Sequence, residues 1–101
     1  MSIVYADELS FRKEVLESEK PVLLDFFAEW CGPCRRVGPI LEEIANENPE
    51  VKVVKVDIDA NPTLAAEYQV YCIPTMLVVR QGKVENQLVG AAPKHQILGL
   101  L

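Results

Sequence analysis

Two dense apolar runs constrain the fold of this 101-residue chain more than any other feature. They read VLLDFFA (22–28) and VKVVKVDID (51–59), the second interrupted by Lys55. Each is too apolar for a strand with one face in water, so each predicts a central strand that is covered on both sides. Between them, apolar side chains recur at i, i+3, i+4, i+7 and i+8, which predicts a helix of about four turns: Val37, Ile40, Leu41, Ile44 and Ala45.

The rest of the chain predicts further strands and helices around the same sheet. A helical stretch begins at Asp7, its cap, and ends before Pro21. A second opens at Asn61, also as a cap, in NPTLAAEY. Two strands joined by a tight hairpin follow, TMLVVR and KVENQLV, and the chain closes with a helix in PKHQILGLL. These elements predict the α/β class, with a mixed sheet between helix layers.

The composition limits the partners that the protein can have. Half of the residues are apolar, which predicts that residues 1–101 form a single domain with one core. Fifteen acidic against ten basic residues give a net charge of -5, which argues against nucleic acid as a ligand. No run of about 18 apolar residues occurs, and the N-terminus is too acidic for a signal peptide, so no membrane partner is expected. We expect a soluble, cytoplasmic monomer, or a protein of an organelle stroma or matrix whose transit peptide has been removed.

The motif EWCGPCRR (29–36) puts Cys31 and Cys34 where the first strand gives way to the helix. Free N–H groups at a helix start favour a thiolate, and residues three apart on a helix are close enough for a disulfide. A structural disulfide is disfavoured because the cytosol keeps most thiols reduced and the closed loop is short. A structural zinc site would need two more ligands, and Cys72 and His95 lack the spacing of a second pair. A redox-active pair is the favoured interpretation.

The chain resembles the thioredoxin family over nearly its whole length, in VLLDFFAEWCGPCRRVGPILEEIA, VKVDIDANP, CIPT and VG. The resemblance implies a five-stranded mixed sheet flanked by four helices, and a reductase of protein disulfides. Cys31 would be the attacking nucleophile and Cys34 the resolving thiol, with no metal and no cofactor beyond this disulfide. Gly32 and Pro33 would tune the redox equilibrium, since a Gly-Pro pair is typical of reducing members. The implied partners are disulfide-containing target proteins and a thioredoxin reductase that depends on NADPH or ferredoxin.

Asp25 lies in the middle of the first predicted strand, where burial disfavours its charged form and raises its pKa. The resemblance implies that this carboxyl group lies beneath Cys34 and accepts its proton during attack on the mixed disulfide. Lys55 would stabilise the Asp25 carboxylate and tune its pKa. The alternatives are a structural carboxylate paired with Lys55, and a lysine whose ammonium group reaches solvent.

Four residues would form the surface on which substrates dock. Trp30, beside the first cysteine, is expected to be exposed there. The resemblance implies a cis bond between Ile73 and Pro74, although only about 5% of X-Pro bonds are cis. Backbone at this turn would pair with an extended substrate. Gly90 would permit close approach beside the same groove.

The sequence departs from the family pattern at three positions. Phe27 stands where a second tryptophan is common, and Arg35 stands where lysine is frequent. Cys72 lies two residues before the expected cis-proline, where small residues other than cysteine are common. It is therefore a candidate regulatory thiol that links two chains on oxidation or takes up glutathione. The alternative is a small residue that happens to be cysteine.

Two other functions remain as alternatives to the reductase. An oxidant or isomerase on the same fold is disfavoured by the Gly-Pro pair between the cysteines. A docking module would use the groove without the thiols. A variant that carries both Cys31→Ser and Cys34→Ser separates the reductase from the docking module, because only the docking module would keep its function.

Overall fold

The strands form one mixed sheet in a computed structural model that describes residues 3–101. Across these residues the sheet has five strands in the order β1-β3-β2-β4-β5. Their bounds are Ile3–Tyr5 (β1), Val22–Phe27 (β2), Lys52–Asp57 (β3), Thr75–Arg80 (β4) and Lys83–Val89 (β5). β1, β3 and β2 run parallel to one another, whereas β4 and β5 pair antiparallel.

Four helical segments among the described residues accompany the sheet. They are a π-helical segment (Arg12–Leu16), α1 (Gly32–Glu47), α2 (Pro62–Glu67) and α3 (Lys94–Leu98). The expected α/β fold, a mixed five-stranded sheet with four helices, is confirmed. None of the helices within residues 3–101 is long and apolar enough to cross a bilayer.

β2 is the central strand, as its apolar run predicts. It lies between β3 and β4, and its alternate side chains enter two different cores. Leu24 and Phe26 pack on the side of the π-helical segment and α2, and Leu23 packs on the side of α1. α1 contributes the predicted stripe to that second core through Val37, Leu41, Ile44 and Ala45. The end of β2 and the start of α1 are therefore held by packing on both faces of the sheet.

The N-terminal region differs from the sequence prediction. Asp7 does act as a cap, since its Oδ1 accepts hydrogen bonds from the backbone N–H groups of Leu9 and Ser10. These bonds form a tight turn, and the regular helix is shorter than predicted and begins only at Arg12. β1 is the fifth strand that the resemblance implied, but its position was not predicted, because three residues are too few to show a period.

Asn61 is the residue before α2, but its side chain does not cap that helix. Its Oδ1 instead accepts a hydrogen bond from the backbone N–H of Glu8, and Oε2 of Glu8 accepts one from the N–H of Thr63. Asn61 therefore stands at the predicted N-cap position of α2, but the side-chain capping bond is absent because a contact distant in sequence takes the acceptor. These bonds join the segment after β1 to the start of α2.

Candidate functional site

Cys31 and Cys34 form a disulfide at the start of α1. Their Cα atoms are 5.3 Å apart, and both side chains are almost fully buried. Cys31 is the N-cap residue, and its Sγ accepts a hydrogen bond of 3.1 Å from the backbone N–H of Cys34. Gly32 and Pro33 form the first turn, where proline costs nothing because the first N–H groups of a helix have no partner within it. The N–H groups and helix dipole that favour a thiolate are thus directed at Cys31.

The turn at Ile73 and Pro74 lies against this disulfide. The carbonyl oxygen of Ile73 is 3.9 Å from Sγ of Cys31, and the Ile73–Pro74 bond is cis, as the resemblance implied. The carbonyl oxygen of Pro74 accepts a hydrogen bond of 2.7 Å from the backbone N–H of Gly90. Gly90 has a φ of +98°, a backbone conformation that residues with a side chain rarely adopt. The structure thus brings the predicted Ile73, Pro74 and Gly90 together beside the cysteines.

Trp30 is 67% exposed and is held in one orientation by a residue that was not predicted. Its indole Nε1 donates a hydrogen bond of 2.7 Å to Oδ2 of Asp59. Asp59 is itself fixed, because its backbone N–H donates to Oδ1 of Asp57. The acidic residues at the end of VKVVKVDID were the only signal for this pair in the sequence, and nothing local connected them with Trp30.

Asp25 is fully buried, and neither of its carboxylate oxygens has a hydrogen-bond partner among residues 3–101. In the sheet it is the register partner of Lys55 on one side and of Met76 on the other. Burial raises the pKa of Asp25 to about 7, and the charge of Lys55 acts in the opposite direction. The carboxyl group therefore changes its charge near neutral pH, as a group that accepts and returns protons must.

Lys55 lies over aromatic rings and forms no ion pair with Asp25 in the described part of the chain. Its Nζ is 4.5 Å from the centroid of the Phe27 ring and 5.8 Å from that of Tyr5. Only 9% of the residue is exposed. The predicted electrostatic effect on Asp25 is therefore present without a direct contact between the two charges.

A cavity of about 190 Å³ adjoins the second cysteine. The residues that line it include Cys34, Phe27, Lys55, Gly38 and Arg35. Nη1 of Arg35 donates a hydrogen bond of 2.7 Å to a backbone carbonyl oxygen, that of Glu29. A larger cavity of about 600 Å³, lined among others by Asn46 and Pro49, contains none of the predicted site residues. The smaller cavity is the relevant one because it reaches both a redox cysteine and the lysine next to Asp25.

Cys72 is a free and exposed thiol. It follows Tyr71, which is also exposed, and precedes the cis bond by one residue. Within residues 3–101, no group of three or more histidine, cysteine or acidic side chains is arranged to hold a metal ion.

Comparisons with known proteins agree over the length of the chain. A family model described as Thioredoxin matches residues 2–101. A protein named Thioredoxin from Acidithiobacillus ferridurans is 48% identical over 101 residues, which cover 99% of this chain and 94% of that protein. A Thioredoxin from Pyropia yezoensis is 44% identical over 102 residues, which cover 100% of this chain and 95% of that protein. Thioredoxin 1 from Synechococcus elongatus is 46% identical over 103 residues, with 100% and 96% covered.

Proposed function

The chain belongs to the thioredoxin family and is a protein thiol-disulfide oxidoreductase, and on this premise we propose that it works as a reductant of target proteins. The thiolate of Cys31 attacks one sulfur of a target disulfide, forms a mixed disulfide and releases the first target thiolate. The thiolate of Cys34 then attacks Sγ of Cys31, which restores the Cys31–Cys34 bond and releases the second target thiolate. Two electrons pass from the cysteine pair to the target.

The observation that carries this proposal is the hydrogen bond from the backbone N–H of Cys34 to Sγ of Cys31. This N–H belongs to the first turn of α1, where it has no partner within the helix. In the reduced protein it stabilises a thiolate on Cys31, which is the form that attacks disulfides. Cys34 is one turn further on, and its place next to Cys31 suits the second attack.

Asp25 serves as the proton acceptor for Cys34 in this proposal. Its pKa of about 7 leaves a large fraction ionised at neutral pH, so it can take a proton and return it. Lys55 tunes this balance, because its charge favours the ionised carboxylate. Proton transfer leaves Cys34 as the thiolate that resolves the mixed disulfide.

Target proteins dock, we propose, on the surface formed by Trp30, Ile73, Pro74 and Gly90. Trp30 offers an exposed ring beside Cys31, and the carbonyl oxygen of Ile73 lies 3.9 Å from its sulfur. An extended target segment at this turn presents its own disulfide sulfur to Cys31 while its backbone pairs with the turn.

In this proposal electrons pass from a reductase to the cysteine pair and from the pair to target disulfides. Gly32 and Pro33 between the cysteines favour the reducing role, and a thioredoxin reductase that uses NADPH or ferredoxin returns the pair to its dithiol form. A midpoint potential near the roughly -270 mV of thioredoxins would support this direction, and a value of about -180 to -120 mV would identify an isomerase or oxidant. We propose the cytoplasm, or an organelle stroma or matrix, as the compartment.

A trapping experiment tests the proposed roles of the two cysteines. The Cys34→Ser variant should accumulate a mixed disulfide with a reducible protein such as insulin, because the second attack is lost. The Cys31→Ser variant should form no such adduct through Cys34 and should lose reductase activity. An adduct that persists in Cys31→Ser and disappears in Cys34→Ser would reverse the assigned roles.

We also propose that Cys72 forms a disulfide between two copies of the chain. The thiol is exposed and unpaired, so a two-electron oxidant such as hydrogen peroxide, which is itself reduced to water, joins two copies through a disulfide between their Cys72 sulfurs. A dimer band on a non-reducing gel that is absent in Cys72→Ser supports this reaction. Absence of the band in the oxidised unmodified protein would exclude it.

A further inference from the structure

Three side chains on one face of the sheet, those of Tyr5, Asp25 and Phe27, lie around the side chain of Lys55. Tyr5 on β1 and Asp25 on β2 are both register partners of Lys55 on β3. Phe27 is two residues after Asp25 on β2 and so points to the same side. This is the side on which α1 packs, because Leu23, in the same alternation, belongs to the α1 core. Two neighbouring strands, β1 and β2, thus supply the surroundings of the ammonium group that β3 carries.

The Lys55 ammonium group is held by ring faces. Its Nζ is 4.5 Å from the Phe27 centroid and 5.8 Å from the Tyr5 centroid. The two rings support each other edge to face, with centroids 6.2 Å apart and an interplanar angle of 73°. A nearly buried ammonium group needs compensation for the water that it loses, and aromatic faces provide it through their negative potential. Among the described residues, no carboxylate forms an ion pair with Lys55.

We propose that Tyr5 and Phe27 are positioning residues whose ring faces hold the Lys55 ammonium group within Coulomb range of Asp25 and short of an ion pair with it. The inference rests on the proposed function, in which Asp25 accepts the proton of Cys34. A closed ion pair would hold the carboxylate in its charged form and weaken it as a base. An ammonium group withdrawn into solvent would leave the carboxyl protonated at neutral pH. The rings maintain the position between these two limits.

Few other charged groups near Asp25 could shift its pKa as Lys55 does. The register partner of Asp25 on β4 is Met76, an uncharged residue. α1 contributes Cys34 to the cavity that Lys55 also lines. Glu29 and Arg35 are the other charged residues that line that cavity. Because Phe27 and Lys55 both line the cavity, loss of the ring gives the ammonium group a route to water there. We therefore expect the charge of Lys55 to move away from Asp25 when the ring is removed.

A double-mutant cycle between Phe27→Leu and Lys55→Met tests the inference. The pKa of Asp25 is followed by carboxyl ¹³C NMR in the oxidised protein, which needs no substrate. Lys55→Met should raise the pKa of Asp25 above about 7, since the lysine charge lowers it. Phe27→Leu should raise it in the same direction when Lys55 is present and leave it unchanged in the Lys55→Met background. The rate of the resolving step at pH 7 should fall about twofold in Phe27→Leu, because a smaller fraction of Asp25 is ionised.

Matched variants separate positioning from general damage to the core. Phe26→Leu makes the same change one residue earlier on β2, in the opposite core and away from Lys55, and should leave the pKa of Asp25 unchanged. Phe27→Trp keeps an aromatic face, so the pKa of Asp25 in this variant should equal that in the unmodified protein. Tyr5→Leu, at the more distant ring, should raise the pKa less than Phe27→Leu does.

Three results would overturn the inference. Phe27→Leu could change the pKa of Asp25 equally with Lys55 and with Lys55→Met, could leave this pKa unchanged when Lys55 is present, or could lower it. None of them depends on whether the protein reduces disulfides. The proposed function fails separately, if Cys31→Ser retains reductase activity. The two failures are therefore distinguishable.

Discussion

Asp25 and Lys55 are register partners on adjacent parallel strands, yet the carboxylate of Asp25 accepts no hydrogen bond from any residue within 3–101. A carboxylate in such surroundings is costly, because burial without a partner penalises the charged form. The cost appears as the pKa of about 7. The carboxyl group that we propose as the proton acceptor is thus also one that destabilises the fold when it is charged.

Stability should depend on pH through Asp25. The pKa of Asp25 rises from an ordinary value of 3.8 to about 7 on folding. Between these pH values the folded chain keeps a proton that the unfolded chain has lost, so the free energy of unfolding falls as the pH rises. Three pKa units correspond to roughly 4 kcal/mol at pH 8. Asp25→Ala should therefore stabilise the oxidised protein by up to that amount at pH 8, less the packing that it loses.

Urea unfolding of both proteins at about pH 4 and pH 8 measures this difference. The advantage of Asp25→Ala should shrink towards pH 4, where the carboxyl is neutral in the folded state. Tyr68→Phe on the other side of the sheet is a suitable control: burial raises the pKa of this phenol above its ordinary value, so the substitution should change stability equally at both pH values. An Asp25→Ala variant that is less stable at pH 8 than at pH 4, relative to the unmodified protein, would contradict the argument.

The pH dependence of the resolving step should follow the ionisation of Asp25. In the unmodified protein the rate should rise with pH through a midpoint of about 7, as the carboxyl loses its proton and becomes able to accept one. Asp25→Asn should lose this midpoint and slow the step at pH 7 by roughly 10- to 100-fold, at or below the low end of general acid-base effects. Rapid-quench measurement of mixed-disulfide decay reports the rate. A midpoint near pH 7 that persists in Asp25→Asn would assign it to another group.

The parts of the site that lie close together in sequence could be predicted from the sequence. β2, the cysteine pair and α1 follow one another along the chain, and each has a periodicity or motif that can be recognised locally. The cis bond at Pro74 followed from the resemblance, since composition and spacing do not specify it. The contact of Asp59 with Trp30 and the position of Lys55 over Phe27 were not predictable, because each pair is separated by 28 or 29 residues and meets only through the sheet.

Trp30 should lose its fixed orientation when Asp59 is changed. Asp59→Ala removes the acceptor of the 2.7 Å hydrogen bond from the indole, whereas Asp59→Asn keeps an oxygen at the same position. Trp30 is the only tryptophan of the chain, so its fluorescence reports on this change directly. We expect Asp59→Ala to shorten the fluorescence anisotropy decay of Trp30 and to raise KM for protein substrates severalfold, with kcat little changed.

A matched surface variant, Glu50→Ala, should change neither quantity. Asp59→Asn should give an anisotropy decay and a KM between those of Asp59→Ala and those of the unmodified protein. If Asp59→Ala lowered kcat and left KM unchanged, Asp59 would act on the chemistry rather than on docking.

Gly90 and Gly38 should respond in opposite directions to the same substitution. An added Cβ meets no atom within 4 Å at either position, so steric overlap does not distinguish the two sites. Gly90 has a φ of +98°, a conformation that disfavours alanine, and Gly90→Ala should destabilise the protein by about 1–2 kcal/mol. Gly38 lies inside α1 with ordinary helical geometry, and Gly38→Ala should stabilise it by about 0.5–1 kcal/mol. Urea unfolding at one pH measures both, and destabilisation by Gly38→Ala would mean that the cavity beside Cys34 has less room than its walls indicate.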